Sequence, residues 1–356
     1  MGVVVLSAPA VQIDADFFPY AQGWLGGDAA YSIPLDQYST VWLFGDTFTG
    51  TRRTPATMIH NSIAIRKCQG SDCRVSYWWS GMRARHASSF FKTHETDYFW
   101  PLDGFVYRRR LYVFLEQMHT TGGGGAFGFD YSGIWLATVS NPFSSPDRWR
   151  ISYQSISPGN VAVPGIATVI ESNRLNAGYL SVFTLFRRPN SEPFCGLLRL
   201  SLNDLPSAGQ SPNWQYLAVG SRWLPWKRST SPADALKLLG GNITEMSVAF
   251  HPDNAQWVAI YPLPGFLTNA ASYSTAKEIR GPWTPPQRLF TYPEMQKGDS
   301  RYTQRVFCYA AKEHVELERT GEIAFSYACN STKESEILND MRLYRPILVR
   351  MAFSSH

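Results

Sequence analysis

Five acidic residues, Asp28, Asp46, Asp103, Glu116 and Glu245, lie within or beside apolar, aromatic-rich runs rather than in polar loops. Asp and Glu are seldom placed so unless they are paired or functional. Carboxyl groups at the mouth of an aromatic cleft are what hydrolysis of a glycosidic bond requires. One is protonated and assists the leaving oxygen, and the other is ionised and acts as base or nucleophile. Trp and Tyr supply flat faces on which sugar rings stack. Asp28, Asp46 and Glu245 are therefore the catalytic candidates. His60, Asn61, Trp100, Asp103, Glu116, Arg187 and His314 are the candidate substrate contacts.

Each has a plainer reading. Asp28, after Gly26-Gly27, suits a turn residue bonding its own backbone, and Asp46 in Gly45-Asp46-Thr47 suits a strand end. Asp103 in Pro101-Leu102-Asp103-Gly104 suits a structural bulge, Glu116 an arginine partner, and His60 and His314 satisfied structural histidines. Asp28 and Glu245 each head an inner strand, which favours function. No Cys/His spacing suggests zinc, and the glycines at 122–125 lack the Lys and helix of a phosphate loop, so neither metal nor cofactor is expected.

The elements that must position these groups recur. Five hairpins carry apolar second strands beginning near Trp42, Leu111, Tyr179, Trp257 and Glu322, at intervals of 69, 68, 78 and 65 residues. A fixed period of this length means one supersecondary unit repeated, each burying its face on the next. Four short strands with their turns fill it, which is a propeller blade. The chain thus reads as an all-β, five-bladed propeller forming one domain over 1–356, with four-stranded antiparallel blades near 28–80, 98–155, 161–220, 244–292 and 301–353. The last blade runs out after three strands, so the segment 11–18 is expected to close the ring and remove an exposed edge. A helix is expected over 231–239, from Ser231 as cap and Pro232 at the first position to Gly240-Gly241; it would account for the long third interval.

In a propeller, the start of strand one, the end of strand two and the start of strand three share one face of the disc. That face collects Asp28, Asp46, His60 and Asn61 from blade one, and Trp100, Asp103, Glu116 and His119 from blade two. Arg187 and Arg188 come from blade three, Glu245 from blade four, and Tyr302, Cys329 and Asn330 from blade five.

Composition narrows the partners. Aromatic residues are 14% and charged residues 17%, with net charge +5. Arg108-Arg109-Arg110 falls in a hairpin turn with no basic stripe or recognition helix, against nucleic acid. No apolar run approaches the ~20 residues of a membrane span. The opening Val3-Val4-Val5-Leu6-Ser7-Ala8-Pro9-Ala10 is similar to the tail of a signal peptide, and equally to a strand. Cys68 and Cys73 can bridge across a turn, Cys308 and Cys329 fall near-opposite on a hairpin, and Asn242-Ile243-Thr244 and Asn330-Ser331-Thr332 are glycosylation sequons. These favour a secreted protein.

The stretch Gly26-Gly27-Asp28-Ala29-Ala30-Tyr31-Ser32-Ile33-Pro34-Leu35, followed by Val41-Trp42-Leu43-Phe44-Gly45-Asp46-Thr47-Phe48 and His60-Asn61-Ser62-Ile63-Ala64, resembles the five-bladed propellers to which bacterial endo-D-arabinanases belong. More distantly it resembles the furanosidase propellers that include α-L-arabinanases, β-xylosidases and invertases. The first resemblance implies that Asp28 and Asp46 are the catalytic pair. The second implies Asp28 as base or nucleophile with an acid from a later inner strand, which maps to Glu245. Blade three, opening Val163-Pro164-Gly165-Ile166, has no carboxylate there. The expectation is a monomeric, secreted glycoside hydrolase acting on an arabinan-like oligo- or polysaccharide, with a non-catalytic carbohydrate-binding propeller as the alternative.

Overall fold

The computed structural model describes residues 11–353, apart from 52–55, 83–85, 94–95, 123–127, 174–175, 210–212, 229 and 266–267. The apolar opening run and most of the 122–125 glycine loop lie outside the described residues. After β1 (Gln12–Asp14), blade one comprises β2 (Trp24–Pro34), β3 (Ser39–Thr49), β4 (Thr57–Ile59), β5 (Ser62–Gln69) and β6 (Asp72–Trp78). Blade two is β7 (Tyr98–Tyr107), β8 (Arg110–Thr120), β9 (Phe129–Val139) and β10 (Ile151–Pro158). Blade three is β11 (Ala162–Asn173), β12 (Asn176–Phe186), β13 (Phe194–Ser201), β14 (Gln215–Ala218), β15 (Arg222–Pro225) and β16 (Leu239–Gly240). Blade four is β17 (Ser247–His251), β18 (Gln256–Pro262), β19 (Ala270–Ala276) and β20 (Gln287–Thr291), and blade five is β21 (Val306–Glu313), β22 (Glu322–Ser331) and β23 (Ile347–Ala352).

The second strands are continuous apolar runs because neighbouring blades cover both their faces: Val41, Trp42, Leu43 and Phe44 are all buried. One apolar cluster joins Ile33, Val41 and Ile63 of blade one to Phe99, Leu111 and Val113 of blade two. Another joins Val258 and Ile260 of blade four to Phe325, Ile347 and Val349 of blade five. The inner strands touch in a closed ring, β2 to β7, β11, β17, β21 and back to β2.

The ring closes as expected. β1 adds to blade five beside β23, with Gln12 opposite Arg350 and Asp14 opposite Leu348. The following segment is anchored in blade one, where Phe18 packs edge-on against Trp42 at 4.9 Å. Disulfides join Cys68 to Cys73 and Cys308 to Cys329, the latter directly opposed on β21 and β22, while Cys195 is buried and free.

The helix expected over 231–239 does not form. The backbone N–H of Leu236 donates to Leu217 and that of Leu238 to Cys195, and Leu239-Gly240 pairs with β13. Burying Ala235 and Leu239 in the blade-three core outweighs local helix propensity. The long third interval is taken up by this segment and by the extra strand β15.

Candidate active site

β-Bulges aim the chemistry. Four of the five inner strands slip register at one level: β2 around Gly27, Ala29 and Tyr31, β7 between Pro101 and Gly104, β11 between Pro164 and Ala167, and β21 between Tyr309 and Lys312. A bulge inserts a residue and redirects the side chains beside it. Ala29, Ala30 and Ala310 accordingly take left-handed φ values of 67°, 65° and 61°. Small residues tolerate that backbone where bulky or β-branched ones would not.

Asp28 leaves the first bulge and lies against the opposite strand. Its Oδ2 accepts hydrogen bonds from the hydroxyls of Tyr309 (2.6 Å) and Tyr344 (2.9 Å). Its Oδ1 sits over Gly45, so close that a Cβ there would lie 2.5 Å from the oxygen. The glycine of the Phe44-Gly45-Asp46-Thr47-Phe48 run is therefore the gap into which Asp28 fits. Burial pushes the Asp28 carboxyl up to about 7, the Asp46 charge adds to this and Glu245 adds a smaller push, with the two tyrosine hydroxyls opposing.

Asp46, near the end of β3, accepts from the Trp100 indole N–H at 2.8 Å and contacts His60 Nδ1 at 3.0 Å, both at Oδ1. The His60 ring stacks on Tyr98 with centroids 3.6 Å apart, and Trp100 meets Phe129 edge-on at 4.7 Å. Asp46 is thereby oriented within an aromatic wall.

The third group is centred on Lys312. Its Nζ lies 3.1 Å from Glu245 Oε1 and 4.3 Å from the centre of the Tyr31 ring, and the residue is buried. Burial lowers the Lys312 pKa, against the pull of Glu245, Asp28 and Asp103. Asp103 accepts from the backbone N–H (2.6 Å) and hydroxyl (2.8 Å) of Thr168 and from Gly104 N–H (2.7 Å), clamping blade two to blade three. Burial nevertheless pushes it to about 7. Glu116 is pushed to about 8, mainly by burial, with Arg187 opposing and Glu245 reinforcing. Arg187 lies 4.1 Å from the centre of the Tyr131 ring.

Asp28, Asp46, Glu245, His60, Trp100, Asp103, Glu116 and Arg187 thus form one connected group of hydrogen-bonding or charge-coupled partners. Asn61 and His314 are placed differently. Asn61 is fully buried, its amide donating to the carbonyls of Phe91 and Phe99 and its oxygen accepting from Phe91 N–H, so it pins a loop. His314 is buried against Trp42, its Nδ1 2.7 Å from the Ser32 hydroxyl and its Nε2 2.7 Å from that of Ser326; burial drives its pKa to about 3. Both side chains are fully occupied by the protein, which leaves no polar atom for a substrate.

Sequence reasoning missed Lys312, Tyr309, Tyr344 and Tyr31. One signal was available: Asp28-Ala29-Ala30-Tyr31 and Tyr309-Ala310-Ala311-Lys312 are the same pattern, two chemical side chains flanking Ala-Ala at a bulge in an inner strand.

Fold and site together define a five-bladed propeller in which carboxyl groups from blades one, two and four gather with a buried lysine from blade five. The chain belongs to the DUF5005 family, a domain of unknown function, whose model matches residues 14–353. No curated protein matches the sequence. Among solved structures, a "putative hydrolase" from Bacteroides ovatus ATCC 8483 has a TM-score of 0.74 at 18% identity, covering 96% of this chain and 89% of that one; what the two share is the fold. The RS223 β-xylosidase has a TM-score of 0.49 at 8% identity (98% and 96% covered), and the GH43_1 enzyme from Xanthomonas citri 0.46 at 10% (93% and 89% covered). These two likenesses carry no argument about activity.

Proposed function

We propose that the protein is a glycoside hydrolase cleaving a furanose-containing, arabinan-like glycan at this site. The observation that carries the reading is Asp28: a buried carboxyl group pushed up to about 7 beside the second carboxyl of Asp46. With its carboxyl raised to about 7, Asp28 keeps its proton in a large share of molecules near neutral pH. That is the state needed to protonate a leaving oxygen while a carboxylate serves as base or nucleophile. On this reading the buried Asp28 donates the proton to the leaving oxygen, and Asp46 serves as base or nucleophile. Glu245, held by Lys312, is the alternative partner across the channel. Trp100, Tyr98 and His60 supply the wall on which a sugar ring would rest. Two disulfides support export, since reducing compartments disfavour them.

The test is release of reducing ends from a panel of arabinans, xylans and fructans between about pH 4 and 9. A bell-shaped profile on an arabinan, with turnover reduced by about 10³-fold or more in Asp28→Asn, supports the reading. Glycan binding without release at any pH would make the protein a carbohydrate-binding propeller instead.

A further inference from the structure

We propose that His251, Glu313 and Glu318 bind one divalent transition-metal cation of the Zn²⁺ or Mn²⁺ type, joining blade four to blade five at the far ends of β17 and β21. The site is separate from the carboxyl cluster and does not depend on the hydrolase reading. One donor atom from each of the three residues lies within 4.8 Å of the others. His251 Nε2 is 2.7 Å from Glu313 Oε1, and the Glu313 side chain is wholly buried.

The sign of a ligand is a buried carboxylate oxygen that no backbone or neutral side-chain donor reaches. Glu313 Oε2 is buried and receives no N–H or alcohol O–H donor. Beside it lies the Glu318 carboxyl, pushed up to about 8 by burial first and then by the charge and hydrogen bond of Glu313. Without a metal the two carboxyls therefore hold a proton between them; Glu318 Oε1 also accepts from Ala324 N–H at 3.3 Å. Gln256, opposite His251 across the β17–β18 hairpin, also keeps a buried, unpartnered carbonyl oxygen, Oε1. The further charges acting on His251 and Glu313 are Asp253 and Glu316, both acidic. Buried carboxylates facing one another need a cation or a shared proton, because their repulsion in a low-dielectric setting is otherwise uncompensated.

An imidazole nitrogen with two carboxylate oxygens is a donor set suited to borderline metals, while Ca²⁺ and Mg²⁺ prefer oxygen alone. On binding, the protons held between His251 and Glu313 and between Glu313 and Glu318 pass to solvent, and the metal takes their place. His251 ends an inner strand of blade four, and both glutamates belong to blade five. The ion would therefore fasten a blade junction that non-covalent packing otherwise holds.

The experiment takes untagged protein stripped with a chelator and then titrated with Zn²⁺, Mn²⁺ or Ca²⁺, with bound metal measured by mass spectrometry and Tm by scanning fluorimetry. The expected result is roughly one Zn²⁺ or Mn²⁺ per chain, with Tm rising by roughly 3–6 °C at 100-fold excess over the dissociation constant. Both effects should disappear in Glu318→Gln, whose partly exposed side chain keeps its shape. Unchanged Tm without bound metal overturns the site and leaves Glu313 and Glu318 sharing a proton or a water. The same shift in Glu318→Gln overturns it by locating the ion elsewhere, and a response to Ca²⁺ alone overturns the choice of metal.

Discussion

Gly45→Ala moves the candidate catalytic group without touching any titratable residue. The added Cβ would stand 2.5 Å from Asp28 Oδ1, and its other neighbours, Asp28 Cγ at 3.6 Å and Ala29 Cβ at 3.9 Å, are at ordinary contact. Relief to about 3.5 Å moves the carboxyl by roughly 1 Å. The 2.6 and 2.9 Å bonds from Tyr309 and Tyr344 to Oδ2 would stretch or break with it. A misplacement of ~1 Å at a reacting group costs on the order of 10²-fold in rate, about 2.7 kcal/mol of barrier. Folding should suffer less: two weakened hydrogen bonds cost about 1–3 kcal/mol, partly offset by the ~0.4–1 kcal/mol that Gly→Ala removes from the unfolded chain's entropy. The assay is kcat on the glycan hydrolysed best, beside Tm, in Gly45→Ala, Asp28→Asn and the double variant. If Gly45 acts through Asp28, the double variant is no slower than Asp28→Asn. A kcat for Gly45→Ala within about threefold of wild type, or a full further loss in the double variant, would refute the reasoning.

Lys312→Met removes the ammonium paired with Glu245 and near Asp28 and Asp103. The upper limb of the pH–rate profile should move to higher pH as Asp28 loses a neighbouring positive charge, and an unmoved limb would place Lys312 outside the electrostatics of the reaction. Stability itself should depend on pH. Asp28 and Asp103 are raised to about 7 and Glu116 to about 8 in the folded protein, so the native state binds more protons than the unfolded one and stability falls as pH rises from ~5 to ~8. Tm followed across that range checks the sign, and Glu116→Gln should flatten the upper part of the decline.

Much of this protein is legible in its sequence because hairpins are local. The continuous apolar strands at 41–44 and 111–114, the turns between them and their period need only neighbouring residues to be recognised, and the count of strands leaves blade five one short. The same locality finds the two disulfides and marks Asp28 and Asp46, both on one hairpin. What depends on other blades was decided by the tertiary structure. Asn61 and His314 look like ligands in the chain, yet three backbone groups around one and two serine hydroxyls around the other satisfy them inside the fold. Lys312 looks like any exposed strand lysine until the bulge after Tyr309 turns it towards Glu245 from the neighbouring blade. The segment 231–239 has helical local preferences, overruled because β13 offers its backbone partners and the core offers its leucines a place. His251 and Glu318 stand 67 residues apart in sequence and meet at Glu313 only because blade four packs on blade five. Local propensity and periodicity act over a few residues, whereas burial and charge pairing are properties of the closed ring.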